Sequence, residues 1–150
     1  MATITVTNEI AAPLHRVFEF FSDSRSSSPH VSGIKKIDVM TAGRFGLGTR
    51  WIETREVLGI TDSAEMEVTS FERDKTYTIT HHKGGVRIDT VFWFDSVGDS
   101  TRVTVEFEIE SNGLPPGLLA PLNWAIAGRV RDVLGHDLAD LKTSLEQLPT

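Results

Sequence analysis

The segment from about residue 119 to 147 constrains this chain most. Leu122, Ile126, Val130, Val133, Leu134, Leu138, Leu141, Leu145 and Leu148 recur every three or four residues. Arg129, Arg131, Asp132, Asp137, Asp140, Lys142 and Glu146 take other positions. This spacing predicts one amphipathic helix, roughly 40 Å long at about 1.5 Å per residue. A helix with one long apolar stripe needs a broad apolar surface to lie on.

The preceding sequence reads as the sheet that supplies it. Ile4, Val6 and Ile10 alternate with Thr3, Thr5, Thr7 and Glu9, which predicts a first strand at 3–10. Pro13 then suits the first turn of a short helix over 13–22, carrying Val17, Phe18, Phe20 and Phe21. The polar segment 22–29 reads as a loop or weak helix. Six strands follow, at 34–40, 49–58, 64–72, 75–82, 86–95 and 102–111, with Gly and Asp turns that favour antiparallel hairpins. Seven strands and one long helix bury each other's apolar faces if the sheet curves around the helix. A strongly curved sheet does not close flush on a straight helix, so a cavity between them is expected.

Length and charge narrow the function. A chain of 150 residues suits one domain, 1–150. A net charge of −6 makes it a poor holder of a phosphate backbone, so no nucleic-acid partner is expected. It has no cysteine, which excludes thiolate metal sites and a Cys nucleophile and is compatible with a cytoplasmic location. The N-terminus has no basic region of the secretory type. Residues 111–128 carry no charge, but Pro115, Pro116 and Pro121 interrupt them, and no transmembrane segment is expected. The apolar lead-in from Gly113 to Leu122 either packs under the helix or gates the cavity or touches a membrane or partner.

Several pieces of sequence then fall in a familiar order. They are Ala-Ala-Pro-Leu-His-Arg-Val-Phe at 11–18, Asp23, Gly48-Thr49 opening a strand, and Phe71-Glu72-Arg73 before Tyr77. The hairpin from Phe92 to Val103 and Gly-Arg-Val-Arg-Asp-Val-Leu at 128–134 follow. Over essentially the whole chain this resembles the START-like (SRPBCC) superfamily, and within it the bacterial polyketide cyclase/dehydrase and lipid-transport family. The resemblance implies an α+β helix-grip fold: a seven-stranded curved antiparallel sheet around a long C-terminal helix, with two short helices after the first strand. It implies a hydrophobic cavity but no single activity, since carriers, hormone binders, aromatases and cyclases share the fold. Where the family usually has an aromatic after Asp23, this chain has Ser26, Ser27 and Ser28, which predicts a more open or polar lip.

Alternation predicts the cavity wall. Inward positions are Thr49, Trp51, Glu53, Arg55 and Val57; Ala64, Met66, Val68 and Ser70; Tyr77, Ile79 and His81; Val86, Ile88, Thr90, Phe92 and Phe94; and Val103, Val105, Phe107 and Ile109. A bulge in any strand reverses every assignment after it. The candidate ligand-binding residues are Trp51, Glu53, Arg55, Met66, Tyr77, His81, Thr90, Phe92 and Phe94. Such a set either lines a ligand pocket or fills an ordinary core. Glu53 and Arg55 share a face and, if inward, pair or orient a ligand; otherwise they sit in water at the strand end. His81, if inward, is the best general acid/base by its pKa range, or else a hydrogen-bonded wall histidine. The leading expectation is a binder of a hydrophobic small molecule, lipid or polyketide-like, as monomer or homodimer. The alternative is an aromatase/cyclase, with His81 as base and Tyr77 and Arg55 stabilising oxyanion character. No metal spacing and no cofactor motif is seen. The glycine loop 43–48 lacks the Lys-Ser/Thr ending of a phosphate loop and is expected over the pocket mouth.

Overall fold

A computed structural model describes residues 2–23, 27–57, 59–83, 85–111 and 120–147, with backbone alone for 2, 57, 83, 111 and 120–129. Strand β1 (Ala2–Ile10) leads into helix α1 (Leu14–Ser22) and a 3-10 turn (Ser28–His30). Strands β2 (Ile34–Val39), β3 (Arg50–Val57), β4 (Ile60–Glu72), β5 (Thr76–Lys83), β6 (Val86–Val97) and β7 (Ser100–Ser111) follow, then helix α2 (Ala120–Gln147). The sheet order is β1-β7-β6-β5-β4-β3-β2, with every pair antiparallel. Consecutive strands from β2 to β7 are hairpin neighbours, and α1 with the 3-10 turn carries the chain from one sheet edge to the other. This is the helix-grip arrangement. Of the second expected short helix the described residues show Ser27, whose N–H donates to the Asp23 carbonyl at 3.0 Å as in an α-helical turn, running into the 3-10 turn.

Local chemistry accounts for the elements. Pro13 stands at the N-cap of α1 in extended conformation, one residue before the helix, because its ring fixes φ at −70° and it has no N–H to leave unpaired. Val17, Phe18 and Phe21 then form the buried face of α1. The chain enters α1 over the buried Thr101, whose hydroxyl donates to the Ala12 carbonyl at 2.8 Å. Between β6 and β7, Val97 pairs with Ser100 across a two-residue loop. Gly98 takes φ of +61° at the first loop position, where a side chain is disfavoured.

Helix α2 is tied at its C-terminal half. Lys142 Nζ donates to the Glu9 carbonyl at 2.7 Å, and Glu146 accepts from the Ala11 N–H at 2.8 Å. Further back, Asp140 accepts from both the N–H and the hydroxyl of Ser32 at 3.1 Å. Leu138, Leu141 and Leu145 are buried in the same cluster as Ile10, Val17, Phe18 and Phe21. Among the described residues no helix is long and apolar enough to cross a membrane.

Strand β4 departs from simple alternation in two ways. It begins at Ile60, four residues before the sequence-based boundary. Its pairing with β5 shifts between Val68 and Ser70: Val68 faces Ile79, whereas Ser70 faces Thr78. This bulge turns Ser70 outward and brings Phe71 onto the inner face beside Tyr77, its cross-strand partner. Ser70, expected inward, is therefore exposed.

Candidate functional site

The concave face of the sheet has two unlike ends. At one end aromatic rings fill the space. Phe18 of α1 stands edge-on to Phe71, Tyr77 and Phe94, with centroids at 5.6, 5.9 and 5.1 Å. Phe45 of the 43–48 loop contacts Trp51 at 5.7 Å and Tyr77 at 6.1 Å. The loop bends inward at Gly43 and Gly48, whose φ values are +96° and +87°. The expected place of this loop is the cavity mouth. Instead it closes the opposite end, because its one aromatic side chain gains more by joining the ring cluster than by facing water.

At the other end the helix stands off the sheet and leaves a cavity of about 540 Å³. That is a size typical of small-molecule sites. Its apolar wall combines Ile34, Met66, Ile79, Phe92, Val105 and Phe107 from the sheet with Phe21 of α1 and Val31 from the segment that follows it. Val130, Val133, Leu134, Leu138 and Leu141 of α2 form the roof. Ser27 and Ser28 are buried in the cavity lining; Ser26 lies outside the described residues, as do residues 113–119 of the apolar lead-in. The exposed Ile60 and Asp62 of β4 mark the mouth.

One charged constellation lies in this wall. Arg55 Nε donates to Glu53 Oε2 at 2.7 Å, and its two terminal nitrogens donate to Asp137 of α2 at 2.9 and 3.4 Å. Trp51 Nε1 approaches the other Glu53 oxygen at 3.5 Å. Burial opposes the Arg55 cation, but Glu53 and Asp137 outweigh it and hold the guanidinium above its ordinary range. For Asp137 the balance is reversed: burial raises its carboxyl, and Arg55 only partly offsets that. His81 faces the cavity beside this group, and burial lowers its imidazole below its ordinary 6.5, partly countered by Glu53. Among the described residues no protein group hydrogen-bonds its ring nitrogens. His82, next in sequence, is exposed on the other face.

The structure brings together Glu53, Arg55, Met66, Tyr77, His81, Thr90 and Phe92 in one wall, as alternation predicts. Trp51 and Phe94 do not join them. Both are buried in the packed end, and although they share the inward face they lie beyond the cavity floor. Tyr77 presents ring carbons, since its hydroxyl donates to the Phe21 carbonyl at 3.2 Å and complete burial raises its phenol well above the usual range. Asp137, Ile60 and Asp62 are absent from the residues that alternation picks out. Their signals are nonetheless in the sequence. Asp137 is four residues from both Val133 and Leu141 and seven from Val130, so it belongs to the apolar stripe. Ile60 and Asp62 share the parity of Ala64 once β4 is extended. Among the described residues, no three His, Asp or Glu side chains gather as a metal site would require.

Comparison with family models matches residues 1–146 to a family described as polyketide cyclase/dehydrase and lipid transport. Among solved structures, a Thermus thermophilus protein is similar at a TM-score of 0.76 and 20% identity, covering 96% of this chain and 97% of its own. The Zhui aromatase/cyclase of a Streptomyces species gives 0.73 at 14% identity, covering 97% and 94%. A major latex-like protein of Panax ginseng gives 0.75 at 16% identity, covering 99% and 98%. At such identities these likenesses bear on the fold alone. A search of curated proteins finds no match.

Proposed function

Because the chain belongs to the polyketide cyclase/dehydrase and lipid transport family, we propose that it binds a hydrophobic small molecule in the cavity between sheet and α2. The observation that carries this is the cavity itself. It holds about 540 Å³, walled mainly by apolar side chains with a few polar groups converging at one end. A protein core of this size would ordinarily close such a space, since unfilled volume costs stability. Native mass spectrometry of freshly purified protein, set against the denatured mass, tests the reading. Extra mass that dissociates on denaturation is expected. A bare native mass, together with no uptake of the uncharged probe N-phenyl-1-naphthylamine, refutes it.

A second reading, polyketide aromatase/cyclase chemistry, draws support from His81, a neutral imidazole with open ring nitrogens in the cavity. The other two candidates support it less. Tyr77 has committed its hydroxyl to the backbone, and Arg55 is neutralised by two carboxylates. We favour binding over catalysis for that reason. His81→Ala separates them: a carrier keeps its ligand, whereas a cyclase loses turnover with binding retained.

A further inference from the structure

The polar end of the cavity is acidic. Among the described residues, Glu53 and Asp137 face the space with the single guanidinium of Arg55 between them. That guanidinium spends its Nε–H on Glu53 and a hydrogen from each terminal nitrogen on Asp137, so its charge is met before any ligand enters. Carboxylate oxygens accept several hydrogen bonds each. Glu53 Oε1 has only the long approach of Trp51 at 3.5 Å, and Asp137 Oδ1 only a 3.4 Å contact, which leaves acceptor capacity on both. Around the space Ser27, Ser28, Ser63 and Thr90 are neutral hydroxyls, and His81 adds an uncharged ring. Most of the remaining surface is hydrocarbon. A ligand anion entering here meets like charge in a region of low polarity, where repulsion is screened far less than in water.

We propose that this cavity selects apolar molecules whose polar end is a hydrogen-bond donor, a hydroxyl or an amine, and rejects those ending in a carboxylate or phosphate. The inference rests on the binding reading above and narrows its ligand class: free fatty acids and anionic lipid headgroups are excluded, and alcohols, phenols and amines of comparable apolar bulk are admitted. Glu53 and Asp137 are the specificity-determining residues, because they outnumber the cation they share and offer the acceptors.

Competition against bound N-phenyl-1-naphthylamine with decanol, decylamine and decanoate tests it, at about pH 7.5 where the amine is cationic and the acid anionic. Decanoate is expected to compete at least roughly tenfold more weakly than decanol, and decylamine at least as well as decanol. In Asp137→Asn and in Glu53→Gln the decanoate-to-decanol ratio is expected to move toward one by about threefold or more. The ratio is internally normalised, so a variant with a damaged cavity loses both competitors together. Should those variants not fold, Ser63→Asp, which adds a carboxylate at an exposed lining position, is expected to move the ratio further from one by about threefold or more. Decanoate competing as well as decanol in the wild type overturns the charge inference and leaves the binding reading intact. So does a ratio that no carboxylate substitution moves. Failure of the neutral probe to bind at all overturns both.

Discussion

The same strands build two opposite environments. On β3, Trp51 is locked among rings and Arg55, two inward positions further on, lies in the wall of an open cavity. On β5 Tyr77 borders both, packed among the rings and lining the cavity, while His81 lies in the cavity wall, and on β6 the step from Phe94 to Thr90 makes the full transition. The strand pattern does not change along the way. What changes is the cover. Over the aromatic end, α1 and the 43–48 loop insert Phe18, Phe21 and Phe45. Over the other end, among the described residues, α2 spans the sheet with a cavity left beneath it. A packed core and a binding cavity are thus one surface with and without a second layer close upon it.

That contrast sets the order of expected mutational effects. Phe18→Ala removes the ring at the centre of the packed end and is expected to cost about 3–5 kcal/mol in urea unfolding, because the surrounding rings cannot collapse into the gap. A cost below about 1 kcal/mol would mean that this end is as loose as the cavity.

Arg55→Met probes the other end. It leaves Glu53 and Asp137 without their shared cation and is expected to cost about 2–3 kcal/mol, discounted from a fully buried pair because Arg55 retains some exposure. The triple change Arg55→Met, Glu53→Gln, Asp137→Asn is expected to recover most of that loss, which a merely steric role for Arg55 would not permit.

Overpacking distinguishes the ends directly. Ala64→Leu projects into the cavity and is expected to change stability by less than about 1 kcal/mol while weakening N-phenyl-1-naphthylamine binding roughly tenfold. Val68→Phe, on the same strand where Val68 is fully buried, is expected to cost about 1–3 kcal/mol. Equal costs at the two positions would erase the distinction.

The smallest effect is electrostatic. Burial lowers the His81 pKa below 6.5, so the unfolded chain takes up that proton first as pH falls. The contribution is present above about pH 6.5 and is lost as pH falls toward the depressed folded value. The urea midpoint is expected to drop between about pH 7.5 and about pH 5.5, and to drop less in His81→Gln. An unchanged slope in that variant would place the titration elsewhere.

Much of the fold and part of the site are legible in the residue pattern. The recurrence of Leu138, Leu141 and Leu145 announces the long helix, and alternation places Glu53, Arg55, Met66, His81 and Phe92 on one face. Where the pattern misleads, the causes are physical and specific. Ser70 falls on the wrong face because the bulge after Val68 is decided by pairing with β5 rather than by the residues of β4. Asp137 escapes notice because a charge reads as a solvent position, although its spacing puts it on the buried stripe. Among the described residues it is Arg55, from a distant strand, that makes that burial tolerable. Phe45 leaves the mouth for the packed end because a loop's destination depends on what its one aromatic finds to pack against.

What the sequence determines by itself is therefore periodic and local: which segments are strand or helix, which side of each is apolar, and where the turns lie. These follow from backbone geometry, which acts within a few residues. The tertiary structure alone decides where the inner face is packed and where it is hollow, that Trp51 and Phe94 belong to the first and His81 to the second, and that Glu53 and Asp137 meet on one arginine. Those outcomes depend on the distance between two layers, and no single strand or helix carries that distance in its own pattern.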